Sequence, residues 1–358
     1  MKKVTSSDVA RVAGVSQAAV SLILNGNEKI SFSQETKDRV HAVARELGYS
    51  LPQRKKRDKT IPSMLLVFTP TMENPYNPEL VQHIEEYAHS RGCYVMLCNT
   101  FRSVEMERYY LEHQVNERVA GIIYSFLPSI PELVEEISAT IPTVILGEKQ
   151  EHLAICSVCL NNIDAGALLT EHLHQLGHRH IAFFTTPLNR FTMARSQRLE
   201  GIRRQMALHG IEENLELLIS DLQEQDLRNS SGSYEFSIGQ ALAKQFLAGS
   251  YKATALIAVN DMPALGIMTT LSEAGIRVPE DLSVCSFDNI FPARICSPGL
   301  TTIEHHLRLL CHAAVDMLVN QDSPSRIIPG DETQHMLVKK VEYSPRLIIR
   351  GSTGPVKK

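Results

Sequence analysis

Apolar residues between positions 62 and 350 cluster in short runs separated by longer amphipathic stretches. The runs are Met64–Phe68, Tyr94–Cys98, Gly121–Phe126, Val144–Leu146, Ile155–Leu160, Ile181–Phe184, Ala255–Val259 and Leu282–Phe287. The clearest stretch between them is Pro78–Gly92, where Leu80, Val81, Ile84, Tyr87 and Ala88 fall on one helical face. Short, nearly continuous apolar runs alternating with helices predict parallel strands covered on both faces. Eight runs are too many for one mononucleotide-sized sheet. The pattern therefore predicts an α/β core of two doubly wound parallel-sheet lobes with a cleft between them. In such sheets ligands sit outside the carboxyl ends of the strands. That rule nominates Thr69, Tyr124, Ser125, Asn260, Asp261, Asp288 and Asn289.

The first fifty residues have a different, all-α texture. Thr5-Ser6-Ser7-Asp8 has capping-box spacing, so a helix is predicted to start there and to run to about Ala13. Gly14 allows a tight turn and Ser16 is a good N-cap for a second helix, Gln17–Leu24, which should stop at Asn25-Gly26. A third helix is predicted from Ser33 to Leu47-Gly48. Val9, Ala10, Ala13, Val15, Val20 and Leu24 lie at helical spacing and can close a three-helix core, with Ala10 small enough to let two helices cross. This is the helix-turn-helix arrangement, in which the start of the second helix enters the major groove. The residues expected to face DNA are Thr5, Ser6, Ser16, Gln17, Ala18, Ser21, Leu22 and Asn25.

Charge sharpens that division. Residues 1–61 hold 12 Lys+Arg against 6 Asp+Glu, whereas the rest holds 24 against 34, so a net charge of −4 hides a basic head on an acidic body. Such asymmetry points to a polyanion partner for the head alone. The densest basic cluster, Arg54, Lys55, Lys56 and Arg57, directly follows the helix-turn-helix and is read as contacting phosphate, a solvated linker being the alternative. No run approaches about 18 apolar residues, so no membrane span is expected. The N-terminus lacks a signal-peptide segment, and seven cysteines show no framework spacing, which suits reduced thiols in the cytoplasm.

Ordered motifs then give a family. Asp8-Val-Ala-Arg-Val-Ala-Gly-Val-Ser16, Glu35-Thr-Lys-Asp-Arg-Val40, Glu46-Leu-Gly-Tyr49 and Asn74-Pro-Tyr76 are followed by Leu176-Gly-His-Arg179, Arg198-Leu-Glu-Gly201 and Asn260-Asp261. Val278-Pro-Glu-Asp-Leu-Ser-Val284, Phe287-Asp288 and Leu300-Thr-Thr302 complete the series. In this order the chain resembles a LacI/GalR-family transcriptional regulator along nearly its whole length. The resemblance implies a repressor that binds a palindromic double-stranded DNA operator as a homodimer. Its periplasmic-binding-protein-like core would sense a sugar, a sugar phosphate or a purine-like effector, most simply a sugar derivative. The division is then residues 1–50 for DNA, 51–61 as hinge, 62–350 as core and 351–358 as a polar tail.

By the same resemblance Arg198 grips ligand hydroxyls or an anion, its rigid fork giving several directed donors. Asp288 accepts from vicinal hydroxyls, Asn260 and Asp261 donate and accept at a strand end, and Tyr76 offers a stacking face. Ser125 joins them from the strand-end rule. Each has a structural alternative: Asp261 and Asp288 could cap helices, Tyr76 could be packing, and Arg198 could pair with Glu200. Gly147 stands where some sugar-binding relatives have an acidic contact, with Glu148 adjacent as a substitute.

Two departures from the family pattern stand out. Leu22 replaces an arginine in the recognition helix, which predicts reduced demand for guanine at one operator position. Asp58 falls about where the family wedges a leucine into the minor groove, and an aspartate cannot intercalate beside phosphates. Other constellations are expected to be inert. His172 and His174, two apart on a helix, diverge, and the stretch from Glu171-His-Leu to Leu-Gly-His178 belongs to the family pattern. Cys156 and Cys159 face opposite sides of a strand, and His305-His306 has no partner at useful spacing. Neither a phosphate-binding glycine loop nor a nucleophile elbow occurs, so neither catalysis, a cofactor nor a metal is expected. The remaining alternative is a small-molecule receptor, or an enzyme-like binding protein, with an incidental basic N-terminus.

Overall fold

The computed structural model describes residues 5–24, 32–47, 49, 63–148, 152–188, 193–221, 233–319 and 338–357, with only the backbone of Ser6, Ser7, Ala18, Ser21 and Leu22. Asn25, Arg54, Lys55, Lys56 and Arg57 lie outside the described residues. The chain divides into two compact units, with a boundary between residues 61 and 62.

The first unit holds three helices, α1 (Ser6–Ala13), α2 (Gln17–Leu24) and α3 (Gln34–Glu46). Thr5 caps α1 through a complete capping box: Asp8 N donates to Thr5 Oγ1 at 3.3 Å and Thr5 N donates to Asp8 Oδ2 at 3.0 Å. Gly14 ends α1 in the left-handed region at φ 65°, where a side chain would be strained. Ser16 Oγ then accepts from Ala19 N at 3.1 Å and opens α2, and Ser33 caps α3. Val9, Ala10, Ala13, Val20, Ile23, Val40 and Ala44 make the core, with Val15 and Leu24 partly buried at its edge. Ile23 thus takes the central place that helical spacing assigned to Leu24.

The second unit contains two α/β lobes. In the first, β1 (Ser63–Thr69), β2 (Cys93–Asn99), β3 (Val119–Tyr124), β4 (Thr143–Leu146) and β5 (Cys156–Leu160) alternate with α4 (Tyr76–Ser90), α5 (Val104–Gln114) and α6 (Pro131–Ser138). The chain then passes into α7 (Asn162–Gln175), β6 (Ile181–Thr185), α8 (Met193–Leu208), β7 (Leu215–Ile219), α9 (Tyr234–Ala248), β8 (Ala255–Ala258), α10 (Asp261–Glu273), β9 (Ser283–Asp288), α11 (Phe291–Ile295) and β10 (Thr301–Glu304). It returns to the first lobe as α12 (Leu307–Val319) and β11 (Lys340–Tyr343), and ends in the second as β12 (Arg346–Ile348). The sheets have the orders β11-β5-β4-β3-β1-β2 and β12-β10-β9-β8-β6-β7, parallel throughout except for antiparallel β12.

The central strands of each sheet are buried on both faces. Leu65 and Val67 of β1 face one core cluster while Leu66 and Phe68 face another; in β6, Ala182 and Phe184 oppose Ile181 and Phe183 in the same way. That is why these strands are apolar without a gap. Four strands escape the apolar-run reading. β10 is the informative one, because Thr301 and Thr302 are fully buried yet polar. Thr302 Oγ1 donates to Asp261 Oδ1 at 2.7 Å, and Thr301 Oγ1 accepts from Arg350 N at 3.0 Å.

Candidate functional site

Both sheets reverse strand order beside their first strand, and the crevice outside the carboxyl ends opens there. A cleft of about 140 Å³ lies between the lobes. Its walls follow the rule strand by strand. Pro70 and Thr71 come after β1, Ser125 after β3, Gly147 and Glu148 after β4, Thr186 after β6 and Asn260 after β8, while Asp288 ends β9 and His305 follows β10. Helix starts add Tyr76, Asn162, Arg195, Arg198, Tyr234 and Glu235, and the loop after β2 adds Arg102.

Arg198 forms the floor and is 7% exposed. It reaches that depth because α7 and α8 nearly touch: a Cβ on Gly166 would lie 2.2 Å from Arg198 O, and one on Gly201 would lie 1.9 Å from Ile163 O. Its Nε donates to Asn162 Oδ1 at 3.0 Å, and Nη1 to Val259 O at 2.5 Å. Nη2 stands 3.6 Å from Asp288 Oδ1 and 3.4 Å from His305 Nε2. The guanidinium also lies over the Phe287 ring, 4.4 Å from its centroid. Glu200, the alternative partner, pairs with Arg204 instead, at 2.5 Å.

Burial sets the electrostatics. It pushes Asp288 well above the usual carboxylate range; Arg198 opposes this, and Asp261 and Glu235 add to it. Burial also raises Glu148 and the Tyr76 phenol, and lowers His305 well below an ordinary imidazole, so that His305 is neutral and its Nε2 can accept from Arg198. The Tyr76 ring meets His305 edge-on, with centroids 5.7 Å apart. Two bonds already cross the cleft: Asn74 Nδ2 donates to Glu235 Oε2 at 2.5 Å, and Ala194 N donates to Glu148 Oε2 at 2.9 Å.

Asp288 sits at φ 110° and Asn289 at φ 55°, conformations that side chains rarely adopt. Neighbours hold them there. Asn289 N donates to Thr302 Oγ1 at 3.3 Å, and its side chain is clamped between Glu304 Oε2 and Arg350 Nη2, each at 2.5 Å. The strained turn aims the Asp288 carboxyl at Arg198.

Of the residues nominated from sequence, Tyr76, Ser125, Arg198, Asn260 and Asp288 share this cleft. Ser125 Oγ has no hydrogen-bond partner among the described residues although it is buried. Asp261 requires correction. It is fully buried at the start of α10, where it accepts from Ser286 Oγ, from Thr302 Oγ1 at 2.7 Å and from Ile290 N at 2.9 Å. Both its oxygens are engaged by the fold. Thr69 and Tyr124 are likewise fully buried, and neither they nor Asn289 lines the cleft. His305 requires the opposite correction, since its partners Arg198, Asp288 and Tyr76 are distant in sequence. Asn162, Glu235 and Arg195 were also missed; of these, Arg195 Nη1 donates to Thr186 Oγ1 at 2.5 Å. On the helix-turn-helix, Thr5, Ser16 and Gln17 are exposed, whereas the side chains of Ser6, Ala18, Ser21 and Leu22 lie outside the description. Among the described residues no helix is long and apolar enough to cross a membrane.

Comparison with known proteins agrees with this architecture. Residues 5–51 match the family described as bacterial regulatory proteins, lacI family, and residues 170–353 match the periplasmic binding protein-like domain. The HTH-type transcriptional repressor PurR of Haemophilus influenzae (strain PittEE) is 31% identical over 98% of this chain and 99% of its own. Among solved structures, a LacI family transcriptional regulator from Enterococcus faecium with bound ribose superposes with a TM-score of 0.66 at 24% identity, covering 82% of this chain and all of that one. A periplasmic binding protein/LacI transcriptional regulator from Alkaliphilus metalliredigens QYMF, complexed with D-xylulofuranose, gives 0.62 at 23%, covering 81% of this chain and 99% of that one. With a helix-turn-helix head and a two-lobed core, and with a relative this similar over its full length, the chain belongs to the LacI family of bacterial regulatory proteins.

Proposed function

We propose that the protein is a transcriptional repressor that binds a palindromic operator as a homodimer and is controlled by a small polyhydroxylated ligand, a sugar or sugar derivative, held between the lobes. Residues 1–50 carry the DNA reader, and residues 51–61 are the hinge, with Arg54–Arg57 on phosphate. Binding DNA, the protein acts in the cytoplasm.

The observation that carries the ligand class is the alternation of donors and acceptors around the cleft. Arg102, Arg195 and Arg198 stand among Glu148, Glu235 and Asp288, with Asn74, Asn162, Asn260 and Ser125 between them. Three guanidiniums and three carboxyls thus present many directed donors and acceptors to a ligand. Vicinal hydroxyls, each both donor and acceptor, match such a surface. Tyr76 supplies the apolar face that a sugar ring needs. The two sugar-bound regulators named above share the fold, which fits this reading. A receptor with an incidental head has no comparable support, because the head itself matches the regulatory family.

Dimerisation is supported by exposed apolar side chains on the outermost strands of both sheets. Tyr94 and Leu97 on β2, with Phe101, Val104 and Tyr109 beside them, and Leu217 and Ile219 on β7 are exposed. Contiguous exposed apolar edges of this kind ask for a partner.

A thermal-shift screen against sugars, sugar phosphates, sugar acids, polyols, nucleosides and purines tests the ligand class. A ligand at about 100 times its dissociation constant adds roughly 2.7 kcal/mol, a shift of a few degrees for a domain this large. Stabilisation by a purine and by no sugar would overturn the assignment.

A further inference from the structure

Away from the cleft, on the outer side of the second lobe, three ligand-type side chains converge. Glu171 and His174 stand three residues apart on α7 and therefore share a face. His209 lies in the turn after α8, fixed by His209 N donating to Met206 O at 3.1 Å and by Gly210 at φ 67°. Ligand atoms of the three lie within 4.8 Å of one another, and all three residues are partly exposed. We infer that Glu171, His174 and His209 form a site for a zinc-like divalent transition ion, bridging α7 and the end of α8.

The donor set fits that class. Two imidazoles and one carboxylate suit zinc and its neighbours rather than calcium or magnesium, and three protein ligands leave a fourth position for water. The carboxylate is ionised and oriented. Gln175 Nε2 donates to its Oε1 at 2.8 Å and Gln205 Nε2 to its Oε2 at 2.7 Å. Such outer partners fix the direction of a ligating oxygen. The imidazoles stack with centroids 3.5 Å apart and planes 7° from parallel. A neutral imidazole carries one bare nitrogen that can bind a metal.

His209 Nε2 lies 2.6 Å from Glu171 Oε2 and 3.2 Å from Gln205 Nε2, contacts that an ion would replace. Tetrahedral bonds of about 2.0–2.1 Å set ligand atoms about 3.3 Å apart, so His209 and Glu171 must open from 2.6 Å to admit the ion. One ring must therefore turn out of the stack, which partial exposure permits. His172 belongs elsewhere: its Nε2 is 2.9 Å from Thr353 Oγ1, so it diverges from His174 as helical geometry requires.

The test uses the full chain freed of metal by chelator and titrated calorimetrically with Zn²⁺, with Co²⁺ absorption reporting the ligands. The inference expects one ion per chain, a cobalt spectrum of nitrogen and oxygen ligation, and at least ten-fold weaker binding in both His174→Ala and His209→Ala. His172→Ala should bind as the unaltered protein does. Should a histidine-to-alanine variant misfold by circular dichroism, His209→Gln replaces it. Absence of micromolar binding would overturn the inference. So would undiminished binding in both variants, or a sulfur-to-cobalt charge-transfer band placing the ion on cysteine.

Discussion

A guanidinium can stay buried at position 198 because acceptors ring it and Asp288 supplies the opposite charge. Removing one partner of a buried pair strands the other, typically at about 3–5 kcal/mol. Arg198→Ala is therefore expected to lower the thermal midpoint, with part of the loss recovered as pH falls and the stranded Asp288 carboxyl takes up a proton. It should also weaken effector binding at least ten-fold while leaving effector-free operator affinity unchanged, as read by fluorescence anisotropy. A normal effector response would remove Arg198 from the site. Asp261 makes a second prediction at this scale. Burial raises it to about 6 against an ordinary 3.8, despite its three donors. A carboxyl raised in the folded state favours the protonated fold. Its stabilisation is therefore full below about pH 4 and is lost as pH rises through about 6. Asp288 and Glu148 are shifted in the same direction. The core is expected to melt higher at pH 5 than at pH 7. Asp261→Asn should flatten that slope, and it should cost about 1–3 kcal/mol by setting an amide donor against Ile290 N–H. Sequence made Arg198 and Asp288 legible, but it could not separate Asp288, at the cleft, from Asp261, beneath it. Both are acidic residues at strand ends, and only the packing around each shows which oxygens remain available.

Glycines 166 and 201 bring α7 and α8 together, and this crossing places Arg198. Gly201→Ala would drive a methyl group into Ile163 O at 1.9 Å, so the helices must part. A loss of about 3 kcal/mol is expected by denaturant unfolding, at the upper end of overpacking costs. Gly210→Ala, at φ 67° with nothing within 4 Å, should cost only about 1 kcal/mol. Equal effects at the two positions would count against the crossing as the placing device. The three helices of the head were legible because capping boxes and turn glycines are local signals. So were the apolar strands. β10 was not, because its burial depends on two threonines whose hydroxyls find Asp261 and Arg350 only after the chain has folded. Missing β10 also hid His305 at its end.

At the level of the whole chain, the basic head and acidic core should make operator affinity steeply salt-dependent. With about six phosphate contacts per dimer, log affinity should fall with a slope of about −5 against log salt. Lys55→Ala, present twice in a dimer, should make that slope shallower by about 2. A slope unaffected by any substitution within Arg54–Arg57 would take the hinge off the phosphates. Sedimentation of a Leu97→Glu variant checks the edge-strand interface, where a shift from dimer to monomer is expected. The sequence by itself determined the family, the helix-turn-helix, the alternating core and, in the cleft, Tyr76, Ser125, Arg198, Asn260 and Asp288. Caps, turns, charge and apolar runs act over a few residues and can be read in order. Only the tertiary structure decided which strand ends face one cavity and which are spent on the fold. It alone joined Glu171, His174 and His209, and Arg198 with His305. Those pairings are set by where helices cross and sheets reverse, and no local spacing encodes such distances.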